Sequence, residues 1–115
     1  MSTQTEQSPL YCDLTALTDT ERQEHVEVSE SLFSSLEEVK ELPDGYAFRF
    51  PPTADLLRKA ATFIARERKC CPFYDFTIKV EREGGPLWLH LTGREGVKAF
   101  IQAEMAGHEA LAPLF

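Results

Sequence analysis

The sequence predicts an α+β domain: a four-stranded antiparallel sheet made from two hairpins, with helices packed on one face, in the order α-ββ-α-ββ-α. Three observations carry this. Apolar residues alternate with others through 46–50, 76–80 and 87–91, the period of a half-buried strand. Pro43-Asp44-Gly45 and Glu83-Gly84-Gly85-Pro86 are turn signals, each set between paired runs. Apolar residues at helical spacing precede, separate and follow the two hairpins. A chain of 115 residues suits one domain. Leu, Ile, Val and Phe make up 29 of the 115, about a quarter, which exceeds the roughly one-fifth below which disorder is the better expectation. The expected organisation is a disordered polar tail over 1–9 and a single domain over 10–115.

The elements follow in order. Leu10 to Leu17 is a short mixed segment, an edge strand or a packed lead-in. Thr18-Asp19-Thr20-Glu21 matches the capping box, in which a Thr hydroxyl accepts from a backbone amide and Glu reaches back to the cap. It opens a helix expected over 19–36, with Val26, Leu32, Phe33 and Leu36 near helical spacing. The first hairpin pairs 37–42 with 46–50, and Pro51-Pro52 ends it because neither residue can donate to a ladder. Thr53 is the expected N-cap of a second helix, with Leu56, Leu57, Ala60, Phe63 and Ile64 as its stripe. That helix stops by Cys71, since Pro72 disfavours helical geometry at the residue before it. Residues 74–81 and 87–91 form the second hairpin. Thr92-Gly93-Arg94-Glu95 reads as a second capping box, opening a last helix that stops at Gly107.

Charge narrows the function. Twelve Lys and Arg against nineteen Asp and Glu give a net charge of −7, and no run of cations offers the phosphate track that nucleic-acid binding needs. No stretch approaches the ~20 apolar residues that span a bilayer, and the start of the chain lacks the basic and apolar regions of a signal peptide. The expectation is a cytoplasmic protein that binds neither nucleic acid nor membrane, in a compartment where thiols stay reduced unless they are catalytic or regulatory; three cysteines, two of them adjacent, do not make a structural disulfide framework.

The residues most suited to chemistry are Glu67-Arg68-Lys69-Cys70-Cys71-Pro72-Phe73, at a helix-to-strand junction. Thiolates are the ligands of soft metal ions. The expected metal ligands are therefore Cys70 and Cys71, with Cys12 as candidate third. Because Cys71 precedes proline, the two side chains should point differently, one inward and one to a cleft or solvent. Arg66, Arg68 and Lys69 would activate the exposed one, while the negative end of the helix works against a thiolate. Cys-x-x-Cys is absent, so a thioredoxin-like oxidoreductase is a poor fit. The bland alternative is that both cysteines are small buried residues closing the helix. Glu67 is expected to pair with an Arg, His25 to be a packed core histidine, and His108 to be solvated. His90 lies beside Trp88 on the second sheet face; it would be the residue for a hydrolase or transferase reading. Trp88, out of place on a plain solvated face, is the anchor of a possible homodimer interface.

The segments 42–50, 67–73, 85–89 and 91–100 resemble a group of small, uncharacterised bacterial proteins with an E-R-x-C-C-P-F motif, present here as Glu67-Arg68-Lys69-Cys70-Cys71-Pro72-Phe73. The resemblance covers residues 10–104. The group is associated with heavy-metal, mercury-type loci, which implies a metal-linked setting. The chain has no helix-turn-helix and is not itself such a regulator. The function expected is non-enzymatic binding of a thiophilic metal ion or thiol-reactive ligand through the vicinal cysteine pair. The alternative is a structural or interaction module dimerising through the second sheet face.

Overall fold

The computed structural model describes residues 8–107. Its elements are α1 (Asp19–Phe33), β1 (Glu38–Leu42), β2 (Gly45–Phe50), α2 (Ala54–Cys70), β3 (Asp75–Val80), β4 (Leu87–Thr92) and α3 (Val97–Ala106), preceded by a 3-10 turn at Leu14–Ala16. The predicted architecture is present: an α+β fold with two hairpins in one antiparallel sheet, order β1-β2-β4-β3. The hairpins meet along β2 and β4, whose register sets Tyr46, Phe48 and Phe50 opposite Leu91, Leu89 and Leu87. Val39 continues the Phe48 row on β1, and Ile78 continues the Leu89 row on β3. Since side chains alternate along a strand, these rows share one face. Phe48, Phe50 and the three leucines of β4 are fully buried there, in one core with Leu32 of α1, Leu56, Ala60 and Phe63 of α2, and Val97 and Ile101 of α3. Phe33 sits among these layers, its ring meeting Phe48, Phe50 and Phe63 edge-on at 5.5 Å each.

The capping box of α1 is formed as the sequence predicts. The Glu21 amide donates to Thr18 Oγ1 at 3.1 Å, and the Thr18 amide donates to Glu21 Oε1 at 3.0 Å. The helix ends at Phe33, three residues short of the expected 36. Ser34 Oγ donates back to the Ser31 carbonyl at 2.7 Å, a local bond by which serine competes with continued helix. Glu37 then donates to the Arg49 carbonyl and the chain joins the sheet. Thr53 caps α2 as expected, accepting from the Leu56 amide at 3.1 Å.

The predicted capping box at Thr92 is not formed. Thr92 is the last residue of β4, in register with Gly45 and Asp75, and the Gly93 amide donates to the Asp44 carbonyl. The ladder has taken the residue that the motif would use as a cap. The helix begins later, at Val97, from Gly96 in a left-handed conformation with φ +96° and no side-chain cap. Gly45 is required for a different reason: a Cβ there would lie 2.0 Å from the Leu91 carbonyl oxygen of the neighbouring strand.

The lead-in is a packed turn rather than an edge strand. Asp13 Oδ1 accepts from the Thr15 amide at 3.0 Å, and Leu17 is buried. Of the tail predicted over 1–9, residues 1–7 lie outside the described residues; the carbonyl of Ser8 accepts from Arg94. Among the described residues no helix is long and apolar enough to cross a membrane.

Candidate functional site

Helices α1 and α2 run antiparallel, and a ladder of polar contacts fixes their register. Glu21 meets Lys69 at 3.2 Å, Glu24 meets Arg66 at 3.0 Å, and Ser31 accepts from Lys59 at 2.7 Å. Opposing positions therefore sum to about ninety, which places His25 against the turn of Glu67. His25 Nε2–H donates to Glu67 Oε1 at 2.7 Å. Glu67 thus bonds a histidine and not the arginine expected, because Arg66 is turned to Glu24. The His25 ring is buried, stacked on Phe63 with centroids 5.4 Å apart. Its second nitrogen, Nδ1, is buried with no hydrogen-bond partner among the described residues.

Cys70 lies one turn beyond Glu67 on the same helix face. Its thiol contacts the Glu67 carbonyl oxygen at 3.6 Å and Glu67 Oε1 at 3.7 Å. The backbone carbonyl of Cys70 accepts from the Asp13 amide at 2.7 Å, and that bond lays the lead-in against the end of α2. Cys12 is thereby brought to Cys71 with 4.7 Å between Cα atoms, and the two form a disulfide. This corrects two expectations. The odd cysteine count does not prevent a disulfide, and the dithiol predicted at Cys70 and Cys71 is replaced by a Cys12–Cys71 disulfide with Cys70 as the free thiol. The three predicted site cysteines are nevertheless in one place, since Cys70 Sγ is 3.9 Å from Cys71 Sγ.

Neither Cys70 nor Cys71 faces bulk solvent. The activation expected from neighbouring cations is also absent at Cys70, because Arg66 and Lys69 are engaged with α1. Burial, and then the Glu67 carboxylate, push the Cys70 thiol up to about 12. Burial and the same carboxylate also raise the Tyr74 phenol. Both groups are protonated at neutral pH.

Cys12, His25, Glu67 and Cys70 line one end of a cleft of about 870 Å3. Its remaining wall is largely apolar, with Phe33, Phe63, Tyr74, Phe100 and Met105. Two sets of potential metal-ligand atoms lie within 4.8 Å of one another at that end: Cys12, Glu67 and Cys71, and His25, Glu67 and Cys70. Glu67 belongs to both.

The other candidates lie elsewhere. His90 is half-buried on β4, in register with Ala47 and Thr77, and points away from the face that holds Leu89 and Leu91. Burial, and then Lys79, lower its pKa, so it is neutral at pH 7. Trp88 shares that face, with Lys40 Nζ 5.8 Å from its ring centroid and Arg49 and Lys79 as its register partners. His108 lies outside the described residues. Sequence reasoning undervalued His25 and Glu67; the available signal was the three-residue spacing of Glu67 and Cys70, which puts carboxylate and thiol on one helix face. Comparison of the chain with protein-family models, with curated proteins and with solved structures gives no match.

Proposed function

We propose that this protein is a small cytoplasmic, non-enzymatic binder of a thiophilic metal ion or thiol-reactive ligand, held by Cys70, Cys71 and Cys12 when the disulfide is reduced. The observation that supports it most is the arrival of Cys12, 59 residues away in sequence, at an adjacent pair of cysteines. Cys71 Sγ is bonded to Cys12 and lies 3.9 Å from Cys70 Sγ; once reduced, the three sulfurs are a donor set for a soft ion, and binding would displace their protons. The disulfide then represents the oxidised form of the site, in which two of the three donors are withdrawn.

The test is titration of the reduced protein with Cd2+, followed by native mass spectrometry and by sulfur-to-metal charge-transfer absorption. One ion per chain is expected, lost in Cys70→Ser and weakened in Cys12→Ser. Reduced wild type that takes up no Cd2+, or a Cys70→Ser variant that binds as wild type does, would overturn the reading.

A further inference from the structure

The sulfur site is not the only metal-binding geometry at this end of the cleft. We propose that His25, Glu67 and Cys70 form a mixed nitrogen, oxygen and sulfur site for a borderline divalent cation of the Zn2+ class, competent while Cys12 and Cys71 remain disulfide-bonded. It rests on geometry separate from the three-sulfur reading and shares only Cys70 with it.

The distances are close to those the ion needs. A tetrahedral Zn2+ with ligands at its usual bond lengths separates neighbouring donor atoms by roughly 3.3–3.6 Å. Cys70 Sγ and Glu67 Oε1 are 3.7 Å apart. His25 Nε2 and Glu67 Oε1 are 2.7 Å apart because a proton joins them; replacing that proton by a metal ion requires the pair to open by roughly 0.6–0.9 Å. All three donors come from helices whose register is held by the Glu21–Lys69 and Glu24–Arg66 contacts, so the site needs no loop to close over it.

The second observation is the imidazole itself. Buried side-chain polar atoms are nearly always hydrogen-bonded, and a histidine packed only for stability would be expected to satisfy both nitrogens. His25 bonds Glu67 with one and leaves Nδ1 buried and, among the described residues, unpaired. The ring thus has unused hydrogen-bonding capacity, and a neutral imidazole ligates a metal through either nitrogen, so Nε2 can exchange its bond to Glu67 for a cation.

The donor set selects the ion. A thiolate favours soft metals, a carboxylate hard ones and imidazole the borderline series, so the mixture fits Zn2+ better than Cd2+ or Mg2+. Three protein ligands leave a fourth position, the arrangement of open zinc sites rather than closed structural ones. The cleft that His25, Glu67 and Cys70 line also has Phe63, Tyr74 and Phe100 in its wall, which would favour an exogenous ligand with an apolar body.

The experiment uses the oxidised protein, checked by alkylation to have one free thiol, titrated with Co2+ as the spectroscopic stand-in for Zn2+. We expect one Co2+ per chain, with thiolate-to-cobalt absorption in the near-ultraviolet and visible bands of tetrahedral cobalt, all displaced by Zn2+. Cys70→Ser should abolish the near-ultraviolet band. Glu67→Gln and His25→Ala should each weaken binding about tenfold or more, with circular dichroism verifying that the variants are folded. The double variant Cys12→Ser with Cys71→Ser, in which Cys70 is the sole thiol, should retain the cobalt spectrum. An oxidised wild type without thiolate-to-cobalt absorption, or an unaltered spectrum in Glu67→Gln and His25→Ala alike, would overturn the proposal. Weaker Cd2+ uptake by the reduced Cys12→Ser variant is a separate measurement, a dependence on Cys12 that the mixed site does not share, so either site can fail while the other stands.

Discussion

His25 Nε2 lies 2.7 Å from Glu67 Oε1, joining α1 to α2 through a buried imidazole and a carboxylate that also touches the Cys70 thiol. The bond is made where little water competes. A hydrogen bond to a charged group contributes about 1.5–3 kcal/mol, and losing one partner strands the other. Glu67→Ala should therefore destabilise the fold by about that amount, read as a lower urea midpoint at unchanged slope. Glu67→Gln, which can still accept from the ring, should cost less. Equal midpoints in wild type and Glu67→Ala would mean that the contact carries no net stability.

The helix starts supply a second prediction. Thr18→Ala and Thr53→Ala should each cost about 0.5–2 kcal/mol, since each hydroxyl accepts from a helix amide. At α3 the sensitive residue is Gly96, whose φ of +96° would cost any side chain about 1–3 kcal/mol. Gly96→Ala should lower the denaturation midpoint. An unchanged midpoint would show that position 96 does not need the left-handed conformation.

These helix starts show which parts of the fold were legible in sequence. The strands were, because alternation at Phe48 and Ile78 and the turn at Asp44-Gly45 are local properties that tertiary packing had no reason to override. Thr92-x-x-Glu95 carries the same local pattern as Thr18-x-x-Glu21, yet only the latter is a cap. Thr92 has ladder partners on both sides, Gly45 and Asp75, and no window of a few residues reveals that. The site divides in the same way. The two adjacent cysteines are visible at once, whereas Cys12 reaches them only because the Asp13 amide finds the Cys70 carbonyl. The His25–Glu67 bond joins residues forty-two apart in sequence and depends on the register of two helices.

The disulfide closes a loop with a sequence separation of 59, and in the chain-entropy account a loop of that length stabilises by roughly 4 kcal/mol. Reduction, or Cys12→Ser, should lower the urea midpoint by a corresponding amount. The midpoint of Cys12→Ser should then be insensitive to reductant. A wild-type midpoint that reductant leaves unchanged would show that the bridge does not form in solution.

The last prediction concerns the protonation of Cys70. Burial, and then Glu67, raise its pKa from 9.0 to about 12. The folded protein thus holds this proton more tightly than the unfolded chain does, and the sign of the linkage follows. The stability contributed by the protonated thiol is complete below pH 9 and declines as pH rises towards 12. Reactivity changes in the same direction. At pH 8 a free cysteine is about a quarter thiolate, whereas a thiol with a pKa near 12 is ionised about once in ten thousand molecules. Ionisation alone should slow native alkylation of Cys70 by roughly two-thousandfold relative to a free cysteine. Glu67→Gln removes the second cause and should speed labelling. Thr18→Ala, which destabilises α1 without touching the thiol, should leave the native rate unchanged and so separates a charge effect from partial unfolding. Labelling of native wild type as fast as that of free cysteine would place Cys70 in an environment unlike the one described.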